Sequence, residues 1–305
     1  MTSDSKIILV TGGTGNIGKA FIQAFESSYT IHAVLRNKRK VSEIALLGAE
    51  PHYLPNPDRA SIFALVKNVK PDVIIANAAH VNLLASDNAL DDLAESNLNM
   101  VLHYLQAAAM LPFCHVISFD SYSSYNHMSE PLYGSAYGRS KFIARELCEF
   151  YSLRSNLKSS NLVIYDVYYE FDNRPSKIFN RVIDALCSDI LTPLSNCDQE
   201  ISFVHMSDIL YAIRLVLEDK CSRDFENFAI RGPETKKLRD YFSVLIPHPK
   251  YKNLRFGEYN DPRPSQKLID KLTPMPPNFS PKVRFEDWLL NQIKEHGIDF
   301  RSEST

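Results

Sequence analysis

The chain has 305 residues, 45% apolar and 23% charged, enough to bury a sizeable core as one large domain or a nucleotide-binding core with an appendage. Lys plus Arg number 34 against 36 Asp plus Glu, a net charge of -2, which argues against a dedicated nucleic-acid binder. No apolar run approaches the roughly 18 residues that span a bilayer, and MTSDSK has no basic n-region, so the expectation is a cytoplasmic protein without a membrane partner. The five cysteines form no CxxC pair and read as reduced thiols; the nine histidines are scattered, and no metal is expected.

Glycine is scarce, ten residues in all, yet Gly12, Gly13, Gly15 and Gly18 fall within one seven-residue window. It lies within TGGTGNIG, which follows the apolar run IILV and precedes KAFIQAF, whose apolar positions recur at helical spacing. A second strand is predicted at IHAVL (31–35), then a short helix at VSEIALLGA and a short strand near 51–54. RASIFALVKNV reads as a helix with Ile62, Leu65, Val66 and Val69 inward. PDVIIANAA (71–79) is nearly continuous apolar strand, as expected when both faces of a parallel sheet are covered.

A long helix follows over roughly 91–110, then a strand HVISF (115–119), a polar loop, a helix over about 137–152 and a strand NLVIYDVYY (161–169). This alternation predicts an α/β fold, a doubly wound parallel Rossmann sheet over 1–170, with 200–230 returning to it. Beyond 170 the pattern breaks into shorter pieces with clustered prolines. Segments 171–199 and 231–305 are therefore assigned to a smaller C-terminal substrate-binding lobe, closed by the amphipathic FEDWLLNQIKEH.

Strand, glycine turn and helix are the context of a dinucleotide fingerprint. Gly12 permits the tight turn, Gly15 lets backbone approach a pyrophosphate, and Gly18 lets the helix pack close to the strand. Gly12, Gly15, Asn16, Ile17 and Gly18 are the expected cofactor contacts, because amides at a helix start attract phosphate. The second strand ends in Arg36-Asn37-Lys38-Arg39-Lys40, with no carboxylate for a ribose 2′-hydroxyl. A basic group there accommodates a 2′-phosphate, so the expected cofactor is NADP(H), held by Arg36 first and Arg39 second.

Tyr137-Gly-Arg-Ser-Lys141 starts the helix after the fifth strand, and i, i+4 spacing puts both side chains on one face. A free phenol has a pKa of about 10, and a nearby ammonium lowers it. Tyr137 is then expected to exchange a proton with a carbonyl or alcohol while hydride moves at a nicotinamide.

Together, TGGTGNIG, NAA at 77–79, Asn97 and YGRSK at 137–141 resemble the extended short-chain dehydrogenase/reductases. ISFVHMSDILYAI is similar to the strand-helix element before that family's substrate lobe. PDVIIANAA and DPRPSQKLIDKL are similar to the dTDP-4-dehydrorhamnose reductase branch. The resemblance implies a nucleotide-linked sugar as substrate, Tyr137 as acid/base and Lys141 as the group that binds the nicotinamide ribose. It also implies that Ala78 and Ala79 lie against the cofactor, that Asn97 shapes the site, and that helices 91–110 and 138–152 form a homodimer.

The family places a Ser or Thr after the fifth strand to hydrogen-bond the substrate oxygen. Counting back from Tyr125 gives Ser121; aligning Ser118-x-Asp120 gives Phe119 instead. His80, His205 and Arg263 are candidate substrate contacts. Departures from the family lie at the sixth strand, VIYDVYYEF, which lacks the usual Arg and Gly-Pro, and at His80-Val-Asn82, which replaces the Tyr-Thr of the rhamnose branch.

The function this implies is an NADPH-dependent reductase of a keto nucleotide sugar of the 4-keto-6-deoxy type, a step of deoxysugar biosynthesis. An NAD(P)-dependent epimerase and a non-catalytic NADP-binding regulatory subunit remain the alternatives.

Overall fold

The computed structural model describes residues 5–81, 87–126, 135–170, 172, 174–188, 190–219, 224–261 and 265–297. Six strands alternate with helices: β1 (Ile7–Thr11), β2 (Thr30–Leu35), β3 (Glu50–Tyr53), β4 (Val73–Ala76), β5 (Cys114–Ser121) and β6 (Leu157–Ile164). Four short strands then follow, β7 (Asp166–Tyr168), β8 (Thr192–Ser195), β9 (Glu200–Ile201) and β10 (Phe203–His205), before β11 (Phe225–Ile230) returns to the sheet. The seven-stranded order is β11-β6-β5-β4-β1-β2-β3, and every pairing is parallel. The Rossmann sheet expected from the alternation is therefore present, and its order reverses between β1 and β4, where doubly wound folds bind their ligands.

Both faces of the sheet are covered, which explains the unbroken apolar strands. On one face Phe21, Ile22 and Phe25 of helix α1 (Asn16–Phe25) pack with Ile209, Ile213 and Val216 of the helix Met206–Glu218. On the other, Ile62, Leu65 and Val66 of the helix Arg59–Val69 pack with Tyr104, Leu105, Ala144 and Cys148. The expected helix 91–110 begins earlier, at Asp87, and is interrupted. Residues Ala94–Asn99 form a π-helical turn before regular helix resumes at Met100–Ala108. The expected strand 161–169 also divides. Tyr165 ends the main-sheet run, its hydroxyl donating to Asp270 Oδ1 at 2.8 Å, and β7 leaves to pair with β10.

A separate aromatic core holds the lobe. Phe285 is buried and stacks on Phe203 at 3.9 Å, with Tyr168, Tyr241 and Trp288 at 5.2, 5.5 and 5.6 Å. Part of the 231–305 segment leaves this lobe: Ile269 and Phe279 join the core of the main sheet, and Thr273 Oγ1 lies 2.9 Å from the Tyr125 hydroxyl.

Burial of an aromatic ring among other rings makes Phe285→Ala a test of the lobe. Truncation should cost about 3–5 kcal/mol, read as a lowered urea midpoint. A loss below about 1 kcal/mol would mean that the lobe does not depend on this ring.

Candidate active site

The glycine turn lies where β1 meets α1. Gly12 has a φ of 65°, and a Cβ there would come within 2.8 Å of the Ala78 Cα, so only glycine fits. Gly15 N donates to Gly12 O at 2.9 Å and caps α1 without a side-chain partner, which leaves the first amides of the helix open toward an anion. β4 closes the other side of the crevice. Ala78 N donates to Thr11 Oγ1 at 2.9 Å, and Asn77 Nδ2 donates to Gly12 O at 3.2 Å. These residues fit a dinucleotide, with backbone amides aimed at the place where its pyrophosphate would lie.

Arg36 and Arg39 are exposed just past β2. The pairing of Val10 with Ala33 carries Arg36 level with the glycine turn. Neither guanidinium forms an ion pair among the described residues, whereas Lys40 is committed to Glu43.

Tyr137 and Lys141 rise from the helix Ala136–Ser152, which Ser135 caps by accepting from Gly138 N at 3.0 Å. Gly138 is required by close approach, because a Cβ would meet Ser123 O at 2.4 Å. Ser121 ends β5, and its hydroxyl is hydrogen-bonded to the Tyr137 phenol. Ser123 donates to Ser121 Oγ at 3.0 Å and fixes its orientation. Of the two possible alignments, only Ser121 offers a hydroxyl here; Phe119 is buried in the core of the main sheet. The Lys141 ammonium donates to Phe119 O at 2.7 Å.

The tyrosine differs from the sequence expectation. Burial, then the Asp120 carboxylate, push its pKa up to about 12, and only the Ser121 hydrogen bond opposes them. The ammonium that would favour the phenolate is turned to the Phe119 carbonyl. Burial pushes the Lys141 pKa down, opposed by Asp120.

Asn97 lies in the π-helical turn and is 1% exposed. Its Oδ1 accepts from His80 N at 2.8 Å, and its Nδ2 donates to His80 O at 3.1 Å and to Ser140 Oγ at 2.9 Å. Ser140 Oγ in turn donates to the Tyr137 carbonyl at 2.8 Å. Asn97 therefore positions the loop after β4 against the helix of Tyr137. His80 is thus brought to the same crevice as Ala78.

His205 has a different occupation. Its Nδ1 lies 2.8 Å from Ser207 Oγ, its Nε2 lies 3.1 Å from Glu170 Oε1, and it caps the helix Met206–Glu218. Both ring nitrogens are engaged within the chain, which makes it an element-end residue. Arg263 lies outside the described residues.

Three residues escaped the sequence reading. Asp120 is 4% exposed and accepts from Ser121 N at 2.7 Å and Ser124 Oγ at 3.0 Å. Arg145 Nη1 stands 3.5 Å from Asp120 Oδ2, an ion pair outside hydrogen-bond geometry. Asn161 Nδ2 reaches the same oxygen at 3.5 Å and also donates to Asn227 Oδ1 at 2.7 Å. The signal was present: Arg145 continues the i, i+4 row of Tyr137 and Lys141, and an Asp within an apolar strand needs a partner.

A family described as "NAD dependent epimerase/dehydratase family" matches residues 8–230. The chain belongs to that family. CDP-abequose synthase of Yersinia pseudotuberculosis is 27% identical over 255 residues, 82% of this chain and 87% of that protein. UDP-glucuronic acid 4-epimerase of Bacillus cereus, solved with a fluorinated UDP-sugar and NAD, has a TM-score of 0.77 at 20% identity, over 95% of this chain and 99% of the other. UDP-glucose 4-epimerase of Thermotoga maritima with UDP-glucose has a TM-score of 0.76 at 17% identity, over 94% and 97%. The chain is thus an enzyme of an oxidoreductase-type family that uses a nicotinamide cofactor. Among the described residues, no helix is long and apolar enough to cross a membrane.

A phenol whose folded-state pKa is raised from 10.0 to about 12 contributes stability that is complete below pH 10 and is lost as pH rises toward 12. Alkaline titrations of tyrosinate absorbance for wild type and Tyr137→Phe should therefore coincide through pH 10 and separate only near pH 12. A difference already developed below pH 10 would contradict the raised value.

Proposed function

We propose that the chain is an NADPH-dependent reductase of a keto nucleotide sugar of the 4-keto-6-deoxy type. The observation that carries this reading is the half-buried Tyr137 phenol paired with the Ser121 hydroxyl at the end of β5. A phenol that keeps its proton at neutral pH suits donation to a carbonyl oxygen, the reductive direction. The bound dihydronicotinamide would supply the hydride. Gly12, Gly15, Asn16, Ile17 and Gly18 hold its pyrophosphate half, Ala78 and Ala79 border it, and Asn97 fixes their loop. Lys141 binds the ribose. Tyr137 delivers the proton, and Ser121 orients and polarises the substrate carbonyl. His80 borders the sugar, and Arg263 is retained as a diphosphate contact.

The exposed, unpaired Arg36 and Arg39 support NADP(H) over NAD. The CDP-abequose synthase relative makes CDP-linked sugars the first substrates to test. The epimerase reading is favoured by the NAD-bound epimerases among the similar structures. Ile143 and Phe150, 46% and 48% exposed on one helix, support a homodimer through that face.

Purified protein with NADPH and a panel of 4-keto nucleotide sugars should consume NADPH with one member and little NADH. Isomer formation without NADPH loss would replace this reading with the epimerase. Tyr137→Phe should lower turnover by about 10²–10⁴-fold while NADPH binding persists. Arg36→Ala should weaken NADPH about tenfold or more and leave NADH unchanged; equal losses would remove the 2′-phosphate assignment. In light scattering the wild type should have twice the chain mass and Ile143→Glu the single mass; a monomeric wild type would end the dimer proposal.

A further inference from the structure

β2 and β3 lie side by side at one edge of the sheet, in a register that pairs His32 with Glu50 and Val34 with His52. Side chains two residues apart on a strand share a face, and neighbours in parallel register share it too. His32, Glu50 and His52 therefore project together, although eighteen residues separate the first two in sequence. His32 Nδ1 lies 2.8 Å from His52 Nε2 and 3.5 Å from Glu50 Oε2, while Glu50 Oε1 lies 4.0 Å from His52 Nε2. One ligand atom from each residue falls within 4.8 Å of the others.

The two imidazole rings stack at 5.1 Å and 26°, and their facing nitrogens have room for one proton between them. Neutral imidazole is the form that binds a metal. The histidine side chains are 13% and 19% exposed, while Glu50 is 65% exposed, so the cluster is shielded beneath and open to water above.

We propose that His32, Glu50 and His52 form a site for a divalent transition-metal ion, zinc being the fitting class. Two imidazole nitrogens and one carboxylate oxygen, completed by water on the open side, make the four-coordinate set zinc accepts. Magnesium and calcium prefer all-oxygen sets and are disfavoured here. Zinc–nitrogen bonds of about 2.0–2.1 Å place tetrahedral ligands roughly 3.3 Å apart, so the rings separate slightly on binding. The ion would tie the edge strand β3 to β2, the strand that ends at Arg36. It takes no part in the Tyr137 chemistry.

The test uses the untagged full-length chain, stripped with a chelator and dialysed against zinc alone. Atomic absorption should give close to one zinc per chain, and zinc should raise the melting temperature. His52→Ala and Glu50→Gln should each weaken zinc binding about 10–100-fold and abolish that rise. Cobalt in place of zinc should give visible absorption bands in the wild type that His52→Ala loses. Should His52→Ala fail to fold, the exposed Glu50→Gln alone decides the matter. A wild type that takes up no zinc, or variants that bind it as the wild type does, would overturn the assignment.

Discussion

Asp120 is 4% exposed, and a carboxylate so far from water is tolerated only where cations and donors replace its hydration. Arg145 and Lys141 supply the charge from successive turns of one helix. Arg145 is itself held between the Tyr125 and Phe142 rings, at 4.8 and 4.7 Å. The network runs on from Asn161 to Asn227, then to the Tyr125 hydroxyl at 2.8 Å and to Thr273. One buried charge thereby joins β5, β6, β11, the helix of Tyr137 and the segment that returns from the lobe. Removing one partner of such a pair typically costs about 3–5 kcal/mol, because the remaining charge stays buried. The positions of Tyr137 and Ser121 follow from this arrangement, since both flank Asp120 in the chain or across it.

Much of the fold was legible because parallel sheets write themselves as continuous apolar runs. IILV, VIIA and HVISF each reappear as strands buried on both faces. The glycine turn was equally legible, since a φ of 65° and a 2.8 Å approach at Gly12 admit only glycine. What stayed hidden depends on partners distant in sequence. The direction of the Lys141 ammonium is set by the Phe119 carbonyl, and the Tyr137 acidity by burial and Asp120. His205 was a candidate substrate contact from the sequence, and its engagement by Glu170 and Ser207 needed three dimensions. The His32–Glu50–His52 cluster arises from strand register, which periodicity does not specify.

The division into sheet and lobe occurs at a single residue. Up to Ile164 the chain pairs with β5 and β11; four residues later Tyr168 belongs to the aromatic core of the lobe. Tyr165 is the joint, tied to Asp270, which also accepts from Thr235 at 2.8 Å and pairs with Arg231 at 3.4 Å. The missing Gly-Pro turn after the sixth strand is thus replaced by a hydrogen-bonded anchor. This anchor joins three separate stretches of chain.

The π-helical turn at Ala94–Asn99 holds one residue more per hydrogen-bonded loop than the α-helix around it. That extra residue rotates everything before it by about 100° relative to an uninterrupted helix. Deleting any one residue of the turn would restore a regular helix, an outcome that local hydrogen bonding favours. It would also swing Asn97 away from the His80 backbone and from Ser140. Length in this stretch is therefore fixed more tightly than composition: single-residue insertions or deletions should be absent from functional relatives here, while substitutions on its solvent side pass freely.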